Sequence, residues 1–400
     1  MKILMDQTLP KSESKNRISN LISALDSSGM DWDTALVFSR VNLYYLTGTI
    51  QDGVLVLRRN GDVQFFVRRS FERAKSESPV DEIYPMKSYR EMREHLPQDL
   101  GKTFVETEQV PLAMMERLRK YFSFENILPL DAVLLNLRAV KSQYELTFLR
   151  EAGREHDKLF MEVVPEILYE GMNEAQMFGE LYRAMMDMNY QGIVRFSGFG
   201  TEMQIGQIAF GTQTLEPTNF DGPGGMGGMS AAIPSVGSRK RVLGRGDMVF
   251  VDIGYGIGGY HTDKTQVYSF GGRLPEHALE LHEECIRVQR DAASLLAPGN
   301  IPSEIYAEIV ASLSPALAEN FMGYKERRVS FLGHGIGLVV NEWPVIARGF
   351  DAPLAENMVI ALEPKAGVAG VGTIGVEDTY VVRPGGGECI TGGGRSVIEL

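Results

Sequence analysis

Cysteine is scarce in this sequence, with only Cys285 and Cys389 among 400 residues. Two cysteines are too few for the disulfide framework that stabilises small secreted domains. The sequence therefore predicts a protein of a reducing compartment, and a cytoplasmic location is expected.

Long apolar runs and an excess of basic charge are lacking too. Residues 1–17 contain neither the apolar core nor the small-residue cleavage site of a signal peptide. No apolar run approaches the roughly 20 residues needed to cross a bilayer as a helix, so no membrane partner is expected. The 52 acidic and 40 basic side chains give a formal charge of −12, which argues against a nucleic-acid partner.

The length and the hydrophobic pattern predict two domains. Four hundred residues exceed what a single hydrophobic core usually organises. The first third alternates helix and strand, and it contains a hairpin signature around Asn60-Gly61, the pair that suits a type I′ turn. Residues 135–164 then form one long amphipathic stretch with helical spacing. We therefore expect domains at residues 1–134 and 135–400.

A pair of predicted strands places two aspartates in apolar surroundings. Asp252 ends an apolar strand, and His261, Asp263 and Thr265 share one face of the next strand because side chains alternate. A hairpin would bring Asp252 and Asp263 together. Adjacent carboxylates repel each other unless a cation or a shared proton neutralises them, and the nearby histidine favours the cation.

Three more residues extend this constellation. His334 lies between two glycines, while Glu363 and Glu377 interrupt apolar β-like runs. Each residue taken singly has an ordinary explanation as a turn, strand-edge or core residue, but the set of five predicts a metal site. Carboxylates with imidazole suit Mn, Fe, Co or Zn, and we favour Mn. Bridging carboxylates would hold two divalent ions roughly 3.5–4 Å apart, which activates water for hydrolysis.

The order of these motifs resembles the pita-bread metallopeptidase superfamily, which includes methionine aminopeptidase, prolidase, Xaa-Pro aminopeptidase and creatinase. The motifs that carry the resemblance are NLYYLTG (42–48), LRAVKSQYEL (137–146), GDMVFVDIG (246–254), YHTDKT (260–265), GHGIG (333–337), ALEPK (361–365) and GVEDTYVV (375–382). The resemblance implies an α/β (α+β) fold, with an N-terminal creatinase/prolidase-like α/β domain before a C-terminal pita-bread catalytic domain. It also implies a homodimer.

The same resemblance assigns roles to the five residues. Asp263 and Glu377 would bridge both metal ions, Asp252 would hold one of them, and His334 with Glu363 would hold the other. Glu363 would also accept a proton from the attacking water and pass it to the leaving amine.

The residues expected to handle substrate depart from the family pattern. Ser235 and Asn341 stand where these peptidases carry histidines, and residues 375–376 are Gly-Val where the prolidase branch tends to have an arginine. We expect Ser235 to contact substrate and Asn341 to donate a hydrogen bond to an oxyanion. His261, which follows the methionine aminopeptidase pattern, is expected to orient a carboxylate.

The expected function is metal-dependent hydrolysis of a small peptide or small amide by an aminopeptidase or Xaa-Pro dipeptidase-like enzyme. A non-peptide C–N hydrolase or lyase of the same fold, similar to creatinase, is the first alternative. A catalytically silent binding protein is the second, and retention of all five ligands argues against it. The glycine-rich residues 220–237 are expected to pack close to the site, because they lack the Gly-Lys-Ser/Thr ending of a phosphate loop.

Overall fold

The computed structural model describes residues 6–198 and 200–400, which form two compact units divided between Leu137 and Arg138. The predicted domain boundary, between residues 134 and 135, falls in the same helix as this division. The α-helices, numbered in chain order, are α1 Lys11–Asp26, α2 Arg40–Thr47, α3 Phe71–Glu77, α4 Leu112–Arg119, α5 Asp131–Ala139, α6 Gln143–Lys158, α7 Val164–Ile167, α8 Glu174–Asp187, α9 Glu276–Ser294, α10 Pro302–Ala311 and α11 Pro315–Ala318. Short 3₁₀ segments span Glu91–Glu94 and Gly211–Leu215, and a π-helical segment spans Leu159–Val163.

The first unit is built on a mixed six-stranded sheet in the order β4-β3-β2-β1-β5-β6. Its strands are β1 Thr34–Val37, β2 Gly53–Arg58, β3 Val63–Val67, β4 Ile83–Pro85, β5 Lys102–Val105 and β6 Asn126–Pro129. The hairpin predicted around Asn60-Gly61 is present as the antiparallel pair β2–β3, but its turn is not type I′, because Gly61 has a positive φ of 96° whereas Asn60 does not have a positive φ. One face of the sheet buries a core that includes Leu36, Val56 and Phe66.

The second unit has a longer set of strands, which build two main sheets. They are β7 Gly206–Phe210, β8 Asp247–Ile257, β9 Tyr260–Phe270, β10 Gly323–Tyr324, β11 Arg327–Arg328, β12 Phe331–Gly335, β13 Glu342–Ala347, β14 Val359–Leu362, β15 Lys365–Val368, β16 Gly372–Gly375, β17 Asp378–Val381, β18 Glu388–Cys389 and β19 Ile398–Glu399. One sheet has the order β19-β9-β8-β7 and the other has the order β13-β12-β14-β17-β18, while β15 and β16 form a separate hairpin.

The amphipathic stretch at 135–164 is not one helix. Helix α5 ends at Ala139 and α6 begins at Gln143, because Ser142 and Glu145 form a capping box that starts a new helix. The Ser142 amide donates to the Glu145 carboxylate, and the Ser142 hydroxyl accepts from the Glu145 amide.

The core of the second unit lies between its strands and helix α9. It contains Phe250 and Val267 from the β8–β9 hairpin, Val288 from α9, and Ile360 and Leu362 from β14. Both cysteines are free thiols. None of the helices in the described part of the chain has the length and apolar character that a membrane crossing demands.

Candidate metal centre

The β8–β9 hairpin places the two predicted aspartates side by side. Its register sets Asp252 opposite Thr265 and Gly254 opposite Asp263, so both carboxylates leave the same face of the sheet. Thr265 then holds the next ligand: its amide donates to the Glu377 carbonyl over 3.1 Å, and its hydroxyl donates to Glu377 Oε2 over 3.1 Å.

The second sheet supplies His334 and Glu363. His334 in β12 pairs with Ala361 in β14, which ends one residue before Glu363. The Glu363 amide donates to the Leu332 carbonyl over 3.0 Å, which fixes the start of its side chain beside the imidazole. The two sheets thus bring together side chains that are 71 (Asp263 and His334) to 111 (Asp252 and Glu363) positions apart in the chain.

All five predicted ligands line one small cavity of about 20 Å³, namely Asp252, Asp263, His334, Glu363 and Glu377. Ligand atoms of Asp263, His334 and Glu377 all lie within 4.8 Å of one another. The His334 Nε2 atom is 3.5 Å from Glu363 Oε1 and 3.8 Å from Glu377 Oε1. A volume of this size holds about one water-sized species.

Burial and mutual repulsion disfavour the ionised form of three of these carboxyl groups. Burial, followed by the field of Glu377, raises the pKa of Asp252 to about 6 although Lys365 opposes the shift. Burial and the carboxylates of Glu377 and Asp252 raise the pKa of Asp263 well above its usual value. Burial and Glu363 likewise raise the pKa of Glu377. A divalent ion added to the cluster would oppose these shifts, because opposite charge favours the ionised form.

Two atoms of the cluster, one from His334 and one from Glu377, are placed to bind such a cation. His334 Nδ1 lies 3.1 Å from the carbonyl oxygen of Gly335, which only accepts, so Nδ1 carries a proton and Nε2 is the ring nitrogen that faces the cluster. Metal-binding histidines use one ring nitrogen in this way while the other donates to a carbonyl. Facing Nε2, the buried Glu377 Oε1 has no hydrogen-bond partner among the described residues. A ring nitrogen and an unpaired carboxylate oxygen that face each other need a proton or a cation between them, and the residues present fit a divalent ion here.

The sequence interpretation missed Lys365, which lies within this cluster. Its side chain is fully buried, and its Nζ atom lies 2.9 Å from Asp252 Oδ2, 2.9 Å from Glu363 Oε2 and 2.6 Å from Glu377 Oε2. Burial alone would lower the pKa of Lys365, but the three carboxylates raise it well above its usual value. A lysine two positions after a glutamate in an apolar strand was a signal, since buried ammonium groups need anionic partners.

Gly375 makes room for the Lys365 stem. The two residues pair directly in the β15–β16 hairpin, and Gly375 has a φ of 125°. A Cβ atom at Gly375 would lie 3.0 Å from the Lys365 Cγ atom and 2.3 Å from the Pro364 carbonyl oxygen. The glycine that stands where the prolidase branch tends to have an arginine is therefore required by the close approach of the β15 backbone and by its own positive φ.

His261 lies apart from the carboxylates. Its Nδ1 is 3.0 Å from the Gly337 carbonyl oxygen, and its Nε2 is 2.8 Å from the side-chain Nε2 atom of Gln191. Burial lowers the pKa of His261 to about 4, so the ring is neutral. The ring therefore anchors the segment after His334, and its hydrogen bonds do not reach the carboxylate that it was expected to orient.

The two residues predicted to handle substrate lie outside the small cavity. Ser235 lines a wider neighbouring cavity of about 660 Å³ together with Ile233 and Pro234. Met203 lines both cavities, which shows that they adjoin. Asn341 is exposed, and its Oδ1 accepts a hydrogen bond of 2.9 Å from the Ser197 amide. From the glycine-rich residues 220–237, Phe220 lines the small cavity and residues 232–235 line the wider one, whereas in the described structure the glycines of this stretch line neither.

Gln207 is a second cavity residue that the sequence interpretation missed. It pairs with Asp252 across β7 and β8, is 2% exposed and lines the small cavity. Neither its Nε2 nor its Oε1 atom has a hydrogen-bond partner within the described ranges. A buried amide without partners is costly, and such groups in native structures often face a ligand. Phe196 and Phe220 form an apolar wall beside it, with ring centroids 5.5 Å apart.

Comparison with known proteins supports this architecture over nearly the whole chain. The model of metallopeptidase family M24 matches residues 147–384, and the model of the creatinase/prolidase N-terminal domain matches residues 17–140. An Xaa-Pro dipeptidase of Pyrococcus horikoshii is 26% identical over 389 residues, which cover 96% of this chain and 98% of that protein.

Solved structures share the fold. The prolidase of Pyrococcus horikoshii OT3 superposes with a TM-score of 0.78 at 23% identity, covering 96% of this chain and 100% of that one. An Xaa-Pro dipeptidase from Bacillus anthracis gives a TM-score of 0.79 at 22% identity, covering 97% of this chain and 100% of that one. Both domains of the expected fold are therefore present in the expected order.

Proposed function

The chain belongs to metallopeptidase family M24, and on that premise we propose that it hydrolyses short peptides, with Xaa-Pro dipeptides as the first substrate class to test. The family match supports a metal-dependent peptidase, and the relatives named as Xaa-Pro dipeptidases support the substrate class. The chain spans 98% of the length of those relatives, so the likeness extends over both domains.

Asp263, His334 and Glu377, with Glu363 beside them, would hold the divalent ion. When bound there, the ion supplies a Lewis acid and lowers the pKa of a water molecule toward neutrality. The sequence prediction of two ions, with manganese favoured, would also use Asp252. That prediction requires oxygens of Asp252 and both glutamates to be free for ligation, and Lys365 already binds one oxygen of each.

The other residues of the cavity have separate tasks in this proposal. Glu363 takes the proton of the attacking water and delivers it to the leaving amine, as the sequence predicts. The Gln207 amide donates to, or accepts from, a polar group of the substrate, which supplies the partner that it lacks. Phe196 and Phe220 exclude bulk water from one side of the reacting bond.

The wider cavity is proposed to hold the body of the substrate. Its volume of about 660 Å³ falls in the range of small-molecule sites and suits a dipeptide better than a folded protein. Ser235 lines this space and retains its predicted role as a substrate contact there. The Asn341 side-chain oxygen accepts a hydrogen bond from the Ser197 amide, and its side-chain NH₂ group is the proposed donor to an oxyanion.

The single observation that carries the proposal is the unpaired Glu377 Oε1 atom opposite His334 Nε2. The test is hydrolysis of matched Xaa-Pro and Xaa-Ala dipeptides after chelation and after Mn²⁺ is added back. We expect cleavage that chelation abolishes and Mn²⁺ restores, with a higher kcat/KM on the Xaa-Pro series. Cleavage that survives complete removal of metal would overturn the proposed role of the ion.

A non-peptide C–N hydrolase or lyase is the second candidate function. It is favoured by the histidine content of the cavity: of the six histidines in the chain, His334 is the one that lines it in the described structure. A panel of N-acyl amines and cyclic amides, run beside the dipeptides, separates the two functions. Inactivity on both panels together with an absence of bound metal would support a silent binding protein instead.

Two predictions about the setting of the protein stay proposals. The free thiols Cys285 and Cys389 support a reducing, cytoplasmic compartment. A homodimer is proposed from the resemblance, and sedimentation of the purified protein would test it.

A further inference from the structure

The Lys365 ammonium group uses all of its hydrogen-bond donors within the carboxylate cluster. An ammonium group has three N–H donors, and the three nearest acceptors of Nζ are Asp252 Oδ2, Glu363 Oε2 and Glu377 Oε2, at 2.6–2.9 Å. Each donor thus has one carboxylate oxygen, and none is left for a substrate. The group acts as a fixed cation that is built into the site.

Each of the two glutamates directs one carboxylate oxygen to Lys365 and the other toward His334. Their Oε2 atoms bind Lys365, while their Oε1 atoms face His334 Nε2 at 3.5 Å and 3.8 Å. Asp252 contacts the lysine through its Oδ2 atom. Asp263 lies on the side of the cluster nearer the histidine, where its ligand atom is within 4.8 Å of those of His334 and Glu377. The cluster therefore has two cation positions, of which the lysine fills one.

A second divalent ion cannot share the lysine position. It would need the Asp252 and Glu377 oxygens that Nζ already binds, and it would stand beside a positive charge in a buried setting where screening is weak. The remaining free space, about 20 Å³, has room for one water-sized species. The Lys365 backbone is fixed in the β15–β16 hairpin and its side chain has no exposed surface, so the ammonium cannot turn out into solvent.

We infer that this chain binds one divalent ion, between Asp263, His334, Glu363 and Glu377, and that the Lys365 ammonium permanently replaces a second ion at the Asp252 side. The inference rests on the proposed metal-dependent function and changes the predicted two-ion centre into a one-ion centre. One Lewis acid then serves the reaction, and Asp252 becomes a partner of lysine rather than a metal ligand.

The test counts ions and does not depend on activity. Purified native protein is stripped with chelator, titrated with Mn²⁺ and analysed by elemental analysis and electron paramagnetic resonance. We expect one Mn²⁺ per chain and the spectrum of an isolated ion. Two Mn²⁺ per chain with a spin-coupled spectrum would overturn the inference while leaving the proposed metal-dependent function intact. Absence of Mn²⁺ binding at millimolar concentration would overturn both.

A pair of variants isolates the role of the lysine. Lys365→Ala removes the ammonium and opens its space, so binding should rise from one ion to two per chain. Lys264→Ala is the matched control, because Lys264 is equally buried but pairs with Asp378 outside the cluster. It should keep one ion. A Lys365→Ala protein that folds, by circular dichroism, and still binds one ion would contradict exclusion by the lysine. If that variant does not fold, the native count and spectrum decide the question.

Discussion

Replacing Glu342 by glutamine should destabilise the segment that covers the candidate site. The Glu342 side chain is 1% exposed and is bound by Arg138 and by Lys141, whose Nζ lies 3.1 Å from Oε2. Its Oε1 atom also accepts from the Val339 amide over 3.3 Å. Glu342 thereby holds the turn whose Gly337 carbonyl binds the His261 ring.

The magnitude follows from the charge of Glu342. Burial opposes ionisation, but Arg138 and Lys141 outweigh it and lower the pKa of Glu342 from 4.5 to about 2. At about 1.4 kcal/mol per pKa unit, the shift corresponds to about 3 kcal/mol of folding stability at neutral pH. Loss of one partner from a buried ion pair typically costs about 3–5 kcal/mol, which agrees. Glu342→Gln should therefore lower the free energy of unfolding by about 3 kcal/mol.

The pH dependence has a definite sign. Because the pKa of Glu342 is lower in the folded than in the unfolded chain, protonation favours unfolding. The stabilisation is complete above about pH 4.5 and is lost as the pH falls toward about 2. The difference between the native protein and Glu342→Gln should consequently be largest near pH 7 and shrink below pH 4.5.

Urea denaturation followed by tryptophan fluorescence measures this difference. The chain has two tryptophans, Trp32 and Trp343, one in each unit. A Trp32→Phe background leaves Trp343, the neighbour of Glu342, as the reporter of the second unit. Glu388→Gln is the control, because Glu388 pairs with Arg150 but is 40% exposed, so the loss should stay below about 1 kcal/mol. Equal losses in the two variants at pH 7 would refute the reasoning.

Two further predictions concern the cavity itself. Glu377→Ala removes an oxygen from the ion position, so the variant should bind less metal and melt at a lower temperature. The reason is that an ion that binds the folded state stabilises it. Chelator should lower the melting temperature of the native protein and leave that of the variant unchanged. Gln207→Leu removes a buried amide that lacks partners, so stability should rise by about 1–3 kcal/mol while kcat/KM falls. A variant at Gln207 that is less stable and fully active would contradict the assignment of this amide to substrate.

The fold and the placement of the five ligands could be predicted because their signals are local or follow from strand geometry. Alternation along β8 and β9 set Asp252 and Asp263 on one face, and the turn pair Asn60-Gly61 marked the first hairpin. The break before α6 was also readable, since Ser142 and Glu145 have the spacing of a capping box. The amphipathic pattern concealed it because the same spacing continues on both sides of the break.

The missed residues depend on partners that are distant in the sequence. Lys365 contacts Asp252 across 113 positions, and Gln207 pairs with Asp252 across 45. No spacing rule connects such pairs, because the separation is set by how two sheets meet. The resemblance to a family points to its types of metal ligand, whereas the roles of Lys365 and Gln207 follow only from the cavity that surrounds them.

The close packing around Gly375 constrains how this hairpin can change over evolutionary time. A Cβ atom at position 375 would lie 2.3 Å from the Pro364 carbonyl oxygen and 2.6 Å from the Lys365 Cα atom, and the φ of 125° also favours glycine. Both obstacles are backbone atoms, so a change of the side chain at position 365 does not remove them. Related sequences that keep this hairpin are therefore expected to retain glycine at 375 whatever residue stands at 365, and lysine at 365 would then serve as a one-letter marker that sorts such sequences into lineages without any structure.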